Sequence, residues 1–384
     1  MQVANSLREA LYRKGTDPEM SFSSIVSRAS ASLRSAFSAR RETGVVAIDF
    51  SPTAVRAIHV RRDGEELVLD GFRLIRLGGD GEGRSLEDAF RDALTLRLRS
   101  DSVVFSLTSP ELAIRKLELP PMTPKELREA LPWEARRHIA DLPADAILDA
   151  QVLGRDPRAT SDGPMEVVLV AFPRSLYEDV SGVLRRVGVE PVFIDVSQMS
   201  AMNGVLSGRI VGESGPLALL DLGSGLGSFS IFSSGNLILF RDLGQRVAHL
   251  DRLLGAALRL DGEQLETFKV SGKSPHGEAP SPAVVQRAIA DVTAELAEDL
   301  RAGLLYLENR TGGSLDRVYL SGSAASFFGR YGIDDAISAQ SGLALERFNP
   351  LRGFRIGLVD EIGLRTAAAE LTAAAGLATR YFTS

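Results

Sequence analysis

One pattern occurs twice and constrains the fold more than any other feature. Residues 45–72, VVAIDFSPTAVRAIHVRRDGEELVLDGF, and residues 217–244, LALLDLGSGLGSFSIFSSGNLILFRDLG, each read as apolar strand, Asp, turn, strand, short Gly turn, strand. The acid that ends each first strand is Asp49 in one copy and Asp221 in the other, 172 positions apart. Apolar and β-branched runs punctuated by Gly turns form meanders. Two meanders with the same acid at the same strand end imply two related α/β lobes facing each other across a cleft. The glycines after Asp221 admit two readings. They form a plain hairpin, or a loop whose backbone N–H groups hold a phosphate while the carboxylate manages a metal ion.

Composition narrows the function classes. At 384 residues the chain exceeds one small core, so two or three domains are expected. A formal net charge of −6 opposes a surface built to neutralise nucleic-acid phosphates, and no nucleic-acid partner is expected. There is no Cys, so disulfides and thiolate metal sites are excluded. The histidines, His59, His138, His249 and His276, show no metal-ligand spacing. No apolar run approaches the ~18–20 residues that span a bilayer, and the opening MQVANSLREALYRKG lacks a signal-peptide pattern. A cytoplasmic protein is expected. Residues 21–41, SFSSIVSRASASLRSAFSARR, hold eight serines, four arginines and no acid. Phe22, Val26, Ala29, Leu33 and Phe37 recur there at helical spacing. That segment reads either as a solvated linker or as an amphipathic helix lying on an anionic membrane surface or a partner.

Between and after the meanders the chain alternates helices and strands. SLEDAFRDALTLRLR reads as a helix, with DSVVFSL and AIRKLELP as strands. Thr123, Pro124 and Glu126 announce a capped helix, which Pro132 is expected to kink or restart. PMEVVLVAFP, RSLYEDVSGVLRRVG and VEPVFIDVSQMSAMNGVL read as strand, helix and strand. A helix is expected over 246–258. One long helix is expected over 282–310, with Val285, Ile289, Val292, Leu296, Leu300, Gly303 and Leu307 on its apolar face. DRVYLSGSAASFFGRYGI gives a strand, a small-residue turn and a helix, and an Ala-rich helix closes the chain.

Chemistry gathers at the strand ends. LLDLGSGLGS and YLSGSAAS both place Gly and Ser after a strand, and the second leads into a helix, whose free N–H groups favour anions. Asp221 is suited to the water shell of Mg²⁺, which binds through few carboxylates plus phosphates.

In this order of elements the chain resembles the actin-like superfamily, and within it the PilM family of type IV pilus assembly proteins. That family is related to FtsA and to the cytoplasmic part of type II secretion GspL proteins. The stretches that carry the resemblance are LELPPMTPKELREALPWEARRHI, VAFPRSLYEDVSGVLRRVGVEPVFIDVSQMSAMN, ELAEDLRAGLLYLENR and GLATR, within residues 44–382. It implies an α/β, actin-like fold of two duplicated ribonuclease-H-like lobes with an inserted subdomain. The division it implies is an extension over 1–43, a first lobe over 44–118 and 345–384, an inserted subdomain over 119–205, and a second lobe over 206–344 with a small subdomain around 250–290.

The resemblance further implies ATP and Mg²⁺ in the inter-lobe cleft. Asp49 and Ser51 fall in the first phosphate loop, Asp221, Gly223, Ser224 and Gly225 in the second, and Ser321 and Gly322 in the adenosine-side turn, with Asp49 and Asp221 facing the metal. It implies a homo-oligomeric scaffold at the inner face of the inner membrane that grips the N-terminal tail of PilN and contacts pilus or secretion motor components. Three departures weaken the nucleotide loops. Ser51 replaces the expected Gly and Pro52 removes an N–H; Arg56 is the nearest cation to the expected Lys; Ser323 replaces the second Gly of the adenosine turn. No catalytic residue is assigned, and hydrolysis is expected to be weak or absent. Trp133 is read either as lining a partner groove beside the inserted subdomain or as an ordinary core residue. The alternatives are an ATP-using enzyme such as a small-molecule kinase, which needs a catalytic base and a substrate pocket, and an FtsA-like polymerising protein.

Overall fold

The structure, a computed structural model, describes residues 44–77, 85–98, 101–155, 163–207, 215–223, 226–260, 262–272, 274, 277 and 279–383. The segment 21–41 and the loop residues Ser224 and Gly225 lie outside the described residues. In chain order the first part of the fold is β1 (Val45–Ser51), β2 (Ala54–Asp63), β3 (Glu66–Arg76), α1 (Leu86–Ala93), β4 (Ser102–Leu107), β5 (Ala113–Leu119), α2 (Pro124–His138), β6 (Ile147–Arg155), β7 (Met165–Phe172), α3 (Arg174–Arg186), β8 (Ile194–Val196) and α4 (Ser197–Ser207). The second part is β9 (Leu217–Leu222), β10 (Gly227–Ser233), β11 (Asn236–Asp242), α5 (Gly244–Leu258), α6 (Gly262–Ser271), α7 (Pro282–Ala288), α8 (Ala290–Thr311), β12 (Arg317–Ser321), α9 (Ala324–Tyr331), α10 (Ile333–Ser341) and β13 (Ala344–Arg347). The chain then returns through β14 (Arg355–Ile356), α11 (Glu361–Ala367) and α12 (Thr372–Thr383).

The repeated meander becomes a repeated sheet. One sheet runs β14-β3-β2-β1-β4-β8 and the other β11-β10-β9-β12-β13. In each, an antiparallel meander continues through two parallel strands, with β1 beside β4 and β9 beside β12. Strand alternation builds three layers in the first lobe. Val46, Ile48 and Phe50 face one core with Phe90 of α1 and Val183 of α3, whereas Val45 and Ala47 face another with Leu371 and with Ala374 and Leu377 of α12. In the second lobe Ala218, Leu220 and Leu222 face the core of α5 to α9. Leu217 and Leu219 instead join the first lobe's core beside Ala201 and Met202 of α4, so the two lobes share apolar packing.

Two helices of the first lobe cross in close contact. A Cβ on Gly376 of α12 would overlap the Ser200 carbonyl and the Gly204 N–H of α4, and a Cβ on Gly204 would lie 2.6 Å from the Thr372 carbonyl. Only glycine at both positions lets these backbones touch. α4 carries the chain out of the first sheet, and α12 packs back against β1 and β4.

Several sequence expectations shift. The third sheet, β5-β7-β6, starts at Ala113, and β8 and α4 belong to the first lobe; the inserted unit is therefore displaced from 119–205. β13 pairs with β12, so the return to the first lobe begins after Arg347 rather than at 345. VEPVFIDVSQMSAMNGVL is mostly helix: only residues 194–196 form a strand, and α4 follows directly. α2 has the expected capping box, Thr123 with Glu126, yet runs unbroken through Pro132. Its buried face of Leu127, Leu131 and Ala135 holds it on the third sheet, while Pro132 points to solvent. The expected 282–310 helix breaks at Ile289, where φ is −115° and ψ 18°, although Val285, Ile289 and Val292 keep one buried face.

Candidate functional site

Both strand-end acids sit where the sheet register puts them. Asp49 lies between Arg56 on β2 and Ser106 on β4, and Asp221 between Ser228 on β10 and Ser321 on β12. The Ser106 hydroxyl donates to Asp49 Oδ1 at 2.7 Å, and the Ser197 hydroxyl, at the start of α4, donates to the same oxygen at 2.5 Å. Arg56 reaches Asp49 Oδ2 at 3.5 Å and donates to Ser51 Oγ at 3.1 Å. Asp49, Ser51 and Arg56 are all buried. Asp221 accepts from Ser321 Oγ at 2.5 Å. Burial pushes the Asp221 carboxyl above the usual carboxylate range, the Ser321 hydrogen bond opposes this, and the Asp49 charge raises it further. The Arg56 charge also acts on Asp221.

The loops around them are tight. Ser51 pairs with Ala54 across a two-residue turn, Pro52 and Thr53, and the Ser51 hydroxyl donates to the Ala54 carbonyl at 3.3 Å. On the β9–β10 side the Gly223 N–H donates to the Leu226 carbonyl at 2.8 Å, as a plain hairpin would have it. Gly322 has φ +86°, and a Cβ there would overlap the Leu222 carbonyl and come within 3.0 Å of Asp221 Oδ1. Its N–H donates to the Ala369 carbonyl at 3.0 Å. Ser321 and Ser323 are buried beside it.

Burial chiefly, with the Asp49 charge adding to it, raises the Asp221 carboxyl, and two strand-end carboxylates are the ligand type of a hard divalent cation whose remaining ligands are water and phosphate oxygens. Among the described residues no group of three His, Asp or Glu side chains forms a self-sufficient metal site, so such a cation would arrive with the nucleotide. The phosphate side fits less well. The Arg56 guanidinium and the Ser51 hydroxyl beside Asp49 already bond within the protein, as do the Ser106 and Ser197 hydroxyls and the Gly322 N–H.

Three contributors here were not read from the sequence. Ser106 and Ser197 hold Asp49, and their only sequence signal is a hydroxyl at a strand end and at a helix start. Glu370, in the turn before α12, forms a two-pronged pair with Arg76 at 2.7 and 2.8 Å and lies 3.7 Å from Arg56.

A second concavity lies on the other side of α4. A cavity of about 870 Å³ is bounded by β6 and β7 of the inserted sheet, β8, α4, the β10–β11 turn and the end of α12. Val170, Phe172, Met199 and Met202 supply apolar lining, and Asn203 and Asn236 polar lining. Arg380 of α12 pairs with Asp195 of β8 and stacks over Phe193, 4.8 Å from the ring centroid. β6 and β8 are the outer strands of their sheets among the described residues, and both border this cavity. β6 was not anticipated; the alternation of Leu148, Ala150 and Val152 was its signal. Trp133 does not line the cavity: it is 74% exposed on α2.

Comparison with known proteins agrees with this architecture. A sequence model described as Type IV pilus assembly protein PilM matches residues 47–382. No curated protein matches by sequence. The structure is similar to the PilM-PilN type IV pilus biogenesis complex, with TM-score 0.71 and 21% identity over 89% of this chain and 99% of that one. Lesser likenesses include the ethanolamine utilization protein EutJ of Carboxydothermus hydrogenoformans (TM-score 0.45, 13% identity, 88% of this chain and 89% of that one). MreB5 of Spiroplasma citri bound to AMPPNP is another (TM-score 0.43, 12% identity, 88% and 95%). The fold is that of the protein in the PilM-PilN complex. With a family match running from β1 to the last helix, this chain belongs to the PilM family of type IV pilus assembly proteins.

Proposed function

We propose that the chain is a cytoplasmic scaffold of a type IV pilus or related secretion platform, and that the cavity between β6 and β8 holds the extended N-terminal tail of an inner-membrane partner of the PilN type. The observation that carries this reading is the cavity itself. Two unpaired strand edges border one apolar trough, which suits a peptide that adds main-chain hydrogen bonds at an edge and drops alternate side chains into the floor. In this reading the protein assembles with copies of itself and with motor components, and residues 21–41 add contact to the membrane surface. ATP with Mg²⁺ is a structural ligand of the inter-lobe cleft. Asp49 and Asp221 face the metal, Ser51, Gly223, Ser224 and Gly225 the phosphates, and Ser321 and Gly322 the adenosine.

Val152 is 49% exposed on β6 and lines the cavity, so Val152→Arg changes the groove without emptying a core. Titration of the full chain with the N-terminal peptide of the single-span protein encoded beside it should show at least ~10-fold weaker binding for this variant, at unchanged melting temperature. A hot-spot contact of 1.4 kcal/mol corresponds to about that factor. Equal affinities for the two proteins would remove the peptide from this groove.

A further inference from the structure

We propose that Asn203, midway along α4, grips the main chain of the tail that lies in the groove. It is the one side chain of that wall whose donors and acceptor are all unspent. The assignment rests on the reading of the cavity as a peptide groove given above, and adds which residue fixes the tail and which part of the tail is fixed.

One face of α4 is turned to the cavity: Met199, Met202, Asn203, Leu206 and Ser207 line it at helical spacing. Met199, Met202 and Leu206 make the surroundings of Asn203 apolar. The other polar groups of this wall are already engaged. The Ser207 hydroxyl donates to the Asn203 carbonyl at 2.5 Å, the Thr379 hydroxyl to the Ala375 carbonyl at 2.9 Å, and the Thr383 hydroxyl to the Thr379 carbonyl at 3.0 Å. Asp195 takes the Val196 N–H at 2.8 Å and the Arg380 guanidinium. The half-buried Asn203 amide has no hydrogen-bond partner among the described residues. Gln151 and Asn236, the other amides lining the cavity, are exposed to water. The backbone that carries Asn203 is also held in place, because the next residue, Gly204, lies against the Thr372 carbonyl of α12.

A carboxamide offers one acceptor and two donors at the end of a short side chain, the complement of the N–H and C=O of one residue in an extended main chain. A tail that pairs with β6 or β8 carries a second row of main-chain groups along its other edge. In an apolar trough those groups are costly to bury without partners. Asn203 satisfies one residue of that row. It fixes the tail's register whatever side chain stands there, while the apolar lining sorts the side chains. Because the amide holds nothing within the chain, its loss is felt only when the tail is bound.

Asn203→Leu keeps the volume and removes donor and acceptor; Asn203→Ala serves if the leucine packs poorly. In calorimetric titration of the full chain with the N-terminal peptide of the single-span protein encoded beside it, either variant should bind at least ~5-fold more weakly, the factor that one hydrogen bond carries. Their melting temperatures should be no lower than the parent's. Replacing the peptide's amide bonds one at a time by esters should find one position whose ester costs the parent ~5-fold and the Asn203 variants nothing. Affinity unchanged in both variants overturns the assignment, and so does a loss that cancels against no ester, or against a peptide side chain instead. If Val152→Arg weakens binding while both Asn203 variants bind as the parent does, the groove stands and Asn203 falls. If none of the three changes affinity, or the parent binds no peptide, both readings fall.

Discussion

Asp49 and Asp221 occupy the same place in two copies of one sheet, yet their surroundings have diverged at a single rung. The residue across from Asp49 is Arg56, and the one across from Asp221 is Ser228; on the other side each acid faces a serine, Ser106 or Ser321. In the first lobe the cation and two hydroxyls close around a buried carboxylate. In the second lobe no guanidinium faces the acid across its rung, and burial with the neighbouring Asp49 charge raises its carboxyl. Duplication supplied two equivalent acids. One cation on one rung turned the first into part of the frame and left the second as the group with most to gain from a metal ion.

The largest effect should come from erasing that difference. Arg56→Ser gives the first lobe the rung of the second and leaves Asp49 and Glu370 facing each other's charge without their shared guanidinium. Removing one partner of a buried pair costs about 3–5 kcal/mol, and urea denaturation should report a loss near that range. The exchange of Ser228 for Ala, on the equivalent rung, should cost only about 1 kcal/mol, the centre of the range for single substitutions. Equal losses at the two rungs would mean that the lobes have not diverged in this way. Next in size is the close crossing of α4 and α12 beside the first sheet. Gly376→Ala places a methyl group against the backbone of α4, which has no flexible end to yield. Overpacking of that kind costs about 1–3 kcal/mol. The same denaturation experiment should find it, and a neutral Gly376→Ala would show that the helices do not cross this closely.

Much of this was legible in the chain because it is local or periodic. The meanders announce themselves through alternating apolar runs and Gly turns, and the strand-end acids through their position. The α2 cap is legible through Thr123 and Glu126, whose side chain and backbone bond each other across three residues. What was not legible depends on contacts between distant parts of the sequence. Glu370 meets Arg76 across 294 positions and Ser197 meets Asp49 across 148, and neither residue carries a local mark. β6 carries a regular alternation, Leu148, Ala150 and Val152 against Asp149 and Gln151, but its place at the outer edge of the third sheet among the described residues depends on its pairing with β7. Pro132 misled for a related reason: a proline cost is local, whereas the packing of Leu127, Leu131 and Ala135 that offsets it is tertiary.

The smallest predicted effect is also the sharpest on the second acid. A carboxyl whose folded value is raised binds its proton more tightly in the folded chain than in the unfolded one. As pH climbs from the ordinary carboxylate value through the raised folded value, the folded state loses stability, and above that the penalty stays constant. Asp221→Asn removes the penalty while its side-chain oxygen still accepts from Ser321. The variant should therefore melt higher than the parent at neutral pH, with the advantage shrinking toward zero at pH below the ordinary carboxylate range. Millimolar Mg²⁺ should narrow the neutral-pH gap, because a cation between the acids relieves in the parent what the amide relieves in the variant. In an Asp49→Asn background the gap should also shrink, since part of the shift comes from the Asp49 charge. A gap that ignores pH, magnesium and residue 49 alike would separate the two acids and leave the crevice without a metal-facing pair.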